Sequence, residues 1–201
     1  APTEYPDTDR MDVMAKFQKE GVWQGEVIQR NKDGTAIHIF SSVTALLDHA
    51  GNPTGAIAVN RDITKRKRAE EKFAKAFQAS PTIVTISRLS DGRLIDVNES
   101  FEQILGYARE EAVEHTIFEL GIWVNLAERE HLLPILLANG KLRNEEVHFR
   151  NKRGEAITCM YSAELIELDG EKCALAVIED ITERKQAEDI LRESEAQLKF
   201  S

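Results

Sequence analysis

Cysteine, long apolar runs and a leader sequence are scarce or absent in this chain of 201 residues, and each absence excludes a class of protein. Two cysteines, Cys159 and Cys173, are too few for a disulfide-stapled secreted scaffold. No apolar run approaches the roughly 20 residues of a membrane-spanning helix, and the first residues do not form a signal peptide. Because residue 1 is not Met, we expect a cytoplasmic segment of a longer protein, without direct membrane contact, whose parent is free to carry a membrane anchor elsewhere.

Positive charge is also in deficit. The 26 Lys and Arg residues are outnumbered by 35 Asp and Glu residues, which gives a net charge of −9. Because phosphate neutralisation supplies most non-specific affinity for nucleic acid, we expect no nucleic-acid partner. We interpret the basic run Lys65-Arg66-Lys67-Arg68 and the acidic pairs Glu110-Glu111 and Glu145-Glu146 as solvated surface charges.

Motifs for catalysis are missing as well. The chain has no Gly-rich phosphate loop, no Gly-Gly-Asp/Glu-Glu-Phe cyclase motif, no histidine-kinase phosphoacceptor context and no cluster of metal ligands. We therefore expect a non-enzymatic chain with no catalytic residue and no metal site, and we place any catalytic output domain outside it.

An internal repeat is the most informative feature that is present. Ten residues from Asp62 recur from Asp180 with seven identities, as Asp-Ile-Thr-Lys-Arg-Lys-Arg-Ala-Glu-Glu and Asp-Ile-Thr-Glu-Arg-Lys-Gln-Ala-Glu-Asp. Upstream, Asn31-Lys32-Asp33-Gly34 matches Asn151-Lys152-Arg153-Gly154 at an offset of 120, against 118 for the two junctions. The difference falls at a Gly/Asn/Pro turn, where a surface hairpin tolerates length variation. Each copy therefore predicts a three-stranded antiparallel meander followed by a charged helix.

Apolar alternation between turn residues predicts eight strands. They lie at 22–30, 36–47 and 56–61 in the first copy, at 82–88 and 93–97 between the copies, and at 144–151, 156–167 and 172–179 in the second copy. Helices are predicted at 99–105, with Asn98 as its N-cap, and near 127–138. In the last hairpin the expected register sets Cys173 opposite Ile166 and Cys159 opposite Asp180, too far apart for a disulfide.

With these elements placed, residues 73–189 resemble a PAS domain, a sensory module of bacterial signalling proteins. The motifs that carry the resemblance are, in order, Ala79-Ser80-Pro81, Asp96-Val97-Asn98-Glu99-Ser100-Phe101, Leu105-Gly106-Tyr107, Gly140, Asn144-Glu145-Glu146 and Asp180-Ile181-Thr182-Glu183-Arg184-Lys185. The resemblance implies an α+β fold, with a five-stranded antiparallel sheet in the order 2-1-5-4-3 and helices on one face that enclose a small pocket.

Residues 21–71 resemble the C-terminal half of a second PAS copy. The matching motifs are Trp23-Gln24-Gly25-Glu26, Lys32-Asp33-Gly34 and Asp62-Ile63-Thr64. The resemblance implies a three-stranded partial PAS domain at 1–64, a helical linker at 65–78, a complete PAS domain at 79–182 and a coiled-coil-like linker helix at 183–201. A half-domain of this length buries little surface. We expect its exposed sheet face and edge to pack against another chain or the second domain, or to be poorly ordered.

The repeated junction suggests a route for signal transmission. Ala187, Leu191, Ser194 and Leu198 follow the second junction at heptad spacing, and Ala69, Phe73 and Ala76 follow the first. This pattern favours a parallel dimeric coiled coil, so we expect a homodimer through linker helices and sheet faces; the alternative is a helix packed on its own domain. We expect Asp62 and Asp180 to cap the helices and, by the resemblance, to form an ion pair or hydrogen bond that couples strand to helix. The predicted relay residues are Asp62, Ile63, Thr64, Asp180, Ile181 and Thr182.

A ligand pocket is predicted within the complete copy. Its candidate residues are Ile104, Phe118, Ile122, Trp123, Leu132, Leu136, Phe149 and Leu175. His131 lies on the long helix where haem-binding members carry a ligand, but its polar neighbours favour solvent exposure, and the Asn-Cys motif of flavin photosensors is absent. We therefore expect neither haem nor flavin. Two hypotheses stay open: a sensory module that binds a small molecule and biases an adjoining output domain, and a non-sensing dimerisation or spacer module with a filled core.

Overall fold

Two compact units make up the chain, one ending at Ala74 and the other starting at Lys75. The computed structural model describes residues 3–199, with side chains described up to residue 196 in the last helix. Each unit is built around its own antiparallel sheet, of three strands in the first unit and five in the second. The predicted α+β architecture with one partial and one complete sheet is confirmed.

The first unit is a helix followed by a meander. Its elements are α1 (Arg10–Glu20), β1 (Val22–Arg30), β2 (Ala36–Leu47), β3 (Pro53–Asp62) and the start of α2 (Thr64–Gln78). Asp9 caps α1 by accepting a hydrogen bond from the Asp12 amide, and Gly21 ends it with a φ of 71°. Only Val13, Trp23 and Val27 form the buried apolar centre of the described part of this unit.

The second unit is the complete five-stranded domain. Its elements are β4 (Ile83–Arg88), β5 (Leu94–Val97), α3 (Glu99–Leu105), α4 (Arg109–Ala112), α5 (Leu126–Asn139), β6 (Lys141–Arg150), β7 (Ala156–Leu168), β8 (Glu171–Asp180) and α6 (Thr182–Lys199). The strands lie in the order β5-β4-β8-β7-β6, which is the predicted order 2-1-5-4-3. The core lies between the sheet and helices α3 to α5.

Asn98 fixes the connection from β5 into α3. Its Oδ1 accepts hydrogen bonds from the Val84 amide at 2.9 Å and from the Phe101 amide at 3.2 Å, and its Nδ2 donates to the Thr82 carbonyl at 2.9 Å. One buried side chain therefore caps the helix and fastens it to the neighbouring strand.

The strand boundaries differ from the sequence-based ones mainly in β3 and β6. The strand expected from Asn144 begins at Lys141, because the chain enters the ladder directly after the helix-ending Gly140 and passes through a bulge at Asn144, whose φ is 55°. The strand expected from Ala56 begins at Pro53, beyond an irregularity in the pairing of Leu46 and Leu47.

Both cysteines are free and buried, in the predicted register. Cys159 pairs with Asp180 and Cys173 with Ile166. Burial raises the pKa of the Cys159 thiol to about 12 and also raises that of Cys173. Because the thiolate is the reactive form, both side chains act as core residues rather than as nucleophiles.

Candidate functional site: a duplicated helix junction and an apolar cavity

The first Asp-Ile-Thr junction is fastened to strand β2 by backbone and side-chain hydrogen bonds. The Ile63 amide donates to the His38 carbonyl at 2.8 Å, and the His38 amide donates to Thr64 Oγ1 at 2.9 Å. Asp62 Oδ1 accepts from the Thr64 amide at 2.8 Å, and hydrogen bonding by the Thr64 side chain and then by its amide lowers the pKa of Asp62. Ile63 and Thr64 are buried, so the start of α2 is held against the sheet.

The second junction repeats these contacts atom for atom. The Ile181 amide donates to the Thr158 carbonyl at 2.9 Å, and the Thr158 amide donates to Thr182 Oγ1 at 3.0 Å. Asp180 Oδ1 accepts from the Thr182 amide at 2.9 Å. The sheet residue is His38 in one copy and Thr158 in the other, and only its backbone is used. The junction therefore depends on the Asp-Ile-Thr residues and on the backbone of the strand, and not on which residue the strand supplies.

An ion pair adds a second contact between each linker helix and its sheet. Lys67 Nζ lies 2.7 Å from Glu26 Oε2, and Lys185 Nζ lies 2.6 Å from Glu146 Oε2. The pairing raises the pKa of both lysines and lowers that of Glu146. Lys67 and Glu146 are therefore surface charges, as expected, but each also forms an ion pair, because the helix carries its lysine over the first strand of the meander.

The ion pairs lie on residues that are not among the predicted relay residues. The two lysines are offset by 118 and the two glutamates by 120, which match the offsets of the junctions and of the strands. The internal repeat therefore indicates that the two ion pairs are equivalent. Among the residues that the structure describes, neither Asp62 nor Asp180 forms an ion pair. Each of these carboxylates is instead directed at the amide of its own threonine.

A small cavity of about 60 Å³ lies between the sheet and the helices of the second unit. It is mostly apolar. Its lining residues are Thr85, Ser87, Leu89, Leu94, Phe101, Leu105, Ile117, Ile122, Trp123, Arg129, Leu132, Leu133, Leu136, Leu142, Phe149, Tyr161, Ala174 and Ile178. Trp123 packs edge-on against Phe149, with ring centroids 4.8 Å apart, and against Tyr161 at 5.9 Å.

Five of the eight predicted pocket residues line this cavity: Ile122, Trp123, Leu132, Leu136 and Phe149. Ile104 packs against the core without lining the cavity, and the Phe118 side chain is 44% exposed. Leu175 was wrongly placed. It pairs with Ile86 and Glu164 on the outer face of the sheet, because the alternation of β8 turns Ala174 and Ile178 inward instead.

Four polar side chains also line the cavity, and the sequence analysis did not select them. They are Thr85, Ser87, Arg129 and Tyr161. Burial lowers the pKa of the Arg129 guanidinium and raises that of the Tyr161 phenol to about 12. The Arg129 guanidinium lies over the Phe118 ring, 4.9 Å from its centroid. The sequence signal was helical spacing, since Arg129 precedes Leu132, Leu133 and Leu136 by three, four and seven residues.

The histidines lie away from the cavity. His131 is exposed on α5, as expected, and His148 is exposed on β6, where its Nδ1 lies 3.0 Å from Glu128 Oε1. No histidine or cysteine of residues 3–199 lines the cavity, and no group of metal-ligating side chains occurs in the same range. None of the helices described is both long and apolar enough to cross a membrane.

Comparison with known proteins decides the family. A family model for the PAS domain matches residues 4–65 and 81–183. The chain belongs to the PAS domain family. Both the partial and the complete sheet are therefore PAS units, and the first match begins at residue 4, within the predicted partial PAS domain.

One known relative of this PAS chain is a kinase. It is 25% identical over 202 residues to sporulation kinase E of Bacillus subtilis (strain 168), covering 90% of this chain and 24% of the kinase. The chain thus spans about a quarter of the length of that relative. Because PAS domains are sensory and regulatory modules, the chain is a sensory module of signalling type, which fits a regulatory rather than a catalytic chain.

Solved structures show the same fold. A PAS domain of a protein from Colwellia psychrerythraea is 23% identical with a TM-score of 0.50, covering 57% of this chain and 98% of that domain. An RNA-binding light-oxygen-voltage receptor is 12% identical with a TM-score of 0.50, covering 96% of this chain and 88% of the receptor chain. These likenesses concern the fold alone.

Proposed function

We propose that this PAS chain is the sensory input region of a larger signalling protein. In this proposal the cavity of the second unit receives a small ligand, and the Asp-Ile-Thr junction passes the resulting change to α6. One observation carries the proposal: the strands that line the cavity are those that hold the junction. Ile178 lines the cavity two residues before Asp180, and its ladder partner Tyr161 lies three residues after Thr158.

The adjoining output domain is proposed to be a histidine kinase or a cyclic-dinucleotide enzyme. The similarity to sporulation kinase E over 90% of this chain favours the kinase. In this proposal α6 is the element that contacts that domain, because it leaves the second Asp-Ile-Thr junction.

We propose further that the chain acts as a homodimer through its linker helices and sheet faces. Ile190 and Leu191 on α6 are 69% and 61% exposed, so the described part of the chain does not cover them. This exposure favours a helix pair over the alternative of a helix packed on its own domain. Leu198, the last residue of the expected seam, lies outside the described side chains.

The outer sheet face of the first unit supports the same proposal. Phe40, Ile57 and Val59 are exposed large apolar residues on that sheet, and every residue of β3 is exposed. In the second unit the matching edge of β8 is paired with β4, whereas β3 has no partner beyond β2 among residues 3–199. An unpaired apolar edge of this kind is a site for pairing with another chain.

A second candidate function is favoured by the size of the cavity. At about 60 Å³ it is small, and a non-sensing spacer or dimerisation module needs no ligand there. In that case the junctions serve only to hold helices at a fixed angle to the sheets.

Native mass spectrometry of the purified chain, with gentle release of bound molecules and an absorption spectrum, separates the two functions. The sensory function predicts a released small molecule in proportion to protein, or saturable uptake of one from a mixture of metabolites. A colourless protein that neither releases nor takes up any small molecule contradicts the sensory function and supports the spacer.

A further inference from the structure

A charged side chain lies in the wall of the mostly apolar cavity of the second unit. Most of its lining is Leu, Ile, Phe and Trp, yet the Arg129 guanidinium is among its walls. An arginine keeps its charge at any ordinary pH and carries five donors, so an apolar site is a costly place for it unless an anion is present.

Arg129 forms no ion pair or hydrogen bond with any of residues 3–199 that the structure describes. Its guanidinium stacks on the Phe118 ring, and the neighbouring Glu130 carboxylate acts on it electrostatically without pairing. The carboxylate one residue before it, Glu128, is committed to the His148 side chain at 3.0 Å and to the His148 amide at 2.9 Å. The guanidinium therefore keeps its donors available on the cavity side.

Tyr161 supplies a second donor at the same place. Its phenol lines the cavity and lies close enough to Arg129 for the two groups to affect each other electrostatically. Its ring is packed between Trp123 and Phe149, which fixes the position of the hydroxyl. The hydroxyls of Thr85 and Ser87 add donors on the sheet side of the same cavity.

We propose that the cavity binds a short-chain aliphatic carboxylate, whose carboxylate is held by Arg129 and Tyr161 and whose alkyl tail lies among the leucines of α5. This inference rests on the proposed sensory function and names its ligand class. A buried water needs about 10–15 Å³ of such space. The cavity of about 60 Å³ therefore holds roughly four to six heavy atoms, about the size of propionate or butyrate. A planar carboxylate matches the fork of a guanidinium.

The test uses butyrate and its neutral isostere butyramide as probes of the whole chain. Binding is followed by NMR at the two tryptophan indole N–H groups, since Trp123 lines the cavity and Trp23 belongs to the first unit. We expect butyrate to shift the Trp123 signal saturably, to leave Trp23 unchanged, and to bind at least about tenfold more tightly than butyramide.

Three variants locate the effect. Arg129→Met removes the charge and should weaken butyrate binding by about ten- to one-hundred-fold while leaving butyramide within about threefold. Tyr161→Phe removes only a hydroxyl and should weaken butyrate by about three- to tenfold, which keeps the test valid if Arg129→Met folds poorly. Arg143→Met makes the same charge change at an exposed arginine paired with Glu164, and it should leave butyrate binding unchanged.

The outcomes distinguish this inference from the function it rests on. Equal binding of butyramide and butyrate, or unchanged butyrate binding in both Arg129→Met and Tyr161→Phe, overturns the carboxylate ligand while the sensory function stands. The same holds if mass spectrometry releases a neutral molecule and butyrate does not bind. Absence of any released molecule and of any uptake from the metabolite mixture, together with no shift from either probe, overturns both.

Discussion

At the scale of single residues, the side-chain hydrogen bonds expected to contribute most to stability are those made to buried backbone groups, because water does not reach these groups to replace the bond. Asn98 is buried and joins three backbone groups of two elements, whereas Asn125 caps α5 at the surface by accepting one hydrogen bond from the Ala127 amide at 3.0 Å. The same residue type in the same capping role is therefore expected to contribute very different amounts of stability.

Replacing Asn98 by alanine should lower the free energy of unfolding of the second unit by about 2–3 kcal/mol, because it removes a cap and leaves the buried Val84 amide without its acceptor. Asn125→Ala, the matched control, should cost about 1 kcal/mol or less. Urea denaturation of both variants measures the difference. Equal losses in the two variants would show that Asn98 acts only as a surface cap.

The Glu146–Lys185 ion pair, which we call the α6 anchor because it joins α6 to β6, predicts a pH dependence. Lys185 holds the pKa of Glu146 below the ordinary value of 4.5. A carboxyl group whose pKa is depressed on folding stabilises the fold above its unfolded pKa and loses that contribution as pH falls through its folded pKa. The anchor is therefore expected at neutral pH and weakens below pH 4.5.

A carbon-13 NMR titration of the Glu146 carboxyl measures this directly. In Lys185→Met the pKa of Glu146 should rise towards 4.5, while that of Glu111, held low by Lys152, should stay where it is. Lys152→Met should do the reverse. If the pKa of Glu146 is the same in Lys185→Met as in the unaltered chain, the ion pair does not hold the helix in solution.

At the scale of elements, the two linker helices share a start but not a length. α2 runs for 15 residues and α6 for 18, and each directly follows a buried isoleucine that is hydrogen-bonded to the central strand of a meander. On α6 the residues from Gln186 to Ala196 are all exposed. Such a helix is marginal alone, and in the proposed homodimer a second copy covers its apolar stripe.

A charged substitution in that stripe should prevent the helices from pairing. Leu191→Asp is expected to shift the chain from dimer towards monomer, raising the dimer dissociation constant at least about tenfold, because a carboxylate would be buried at the seam. Gln186→Asp adds the same charge off the stripe and should leave the dimer intact. Analytical ultracentrifugation over a concentration series decides between them, and a dimer unaffected by Leu191→Asp would place the contact elsewhere.

Sequence patterns predicted these elements well where a repeat or a hairpin constrained them. The bounds of β1, β2 and α3 and the register of both cysteines follow from alternation and turn residues. Arg129 was not among the predicted pocket residues because a charged residue suggests a solvent-facing side of the helix. Its spacing from Leu132 and Leu136 nevertheless sets it on the apolar face. Leu175 was misplaced because β8 is apolar on both faces, so composition does not tell the inner side from the outer one.

At the scale of the whole molecule, the two PAS units differ in how much core they contain. The first buries three large apolar residues in its main cluster, whereas the second buries a cluster running from Ile83 to Ile178. Stability grows with the share of surface that is buried, so the first unit should be the weaker of the two. In the proposed homodimer a second chain covers the open sheet edge of the first unit. Residue patterns within one chain do not predict such a contact.

We expect the chain to unfold in two steps, because each unit has its own sheet and core. Trp23 and Trp123 report on one unit each, so their indole NMR signals should disappear at different urea concentrations, with Trp23 first. Coincident loss of both signals would mean that the partial unit is stabilised to the level of the complete one.

The central claim is that occupancy of the cavity alters the start of α6 through the Asp-Ile-Thr junction, and amide exchange at that junction tests it most directly. With butyrate bound, as shown by the Trp123 indole signal, the exchange rates of the Ile181 and Thr158 amides should change at least about threefold. Ile63 and His38, which have the same geometry in the first unit, should not respond. In Thr182→Val, which removes the acceptor of the Thr158 amide, the response of Ile181 should be lost. A fully occupied cavity with unchanged exchange at Ile181 and Thr158 in the unaltered chain would contradict the account.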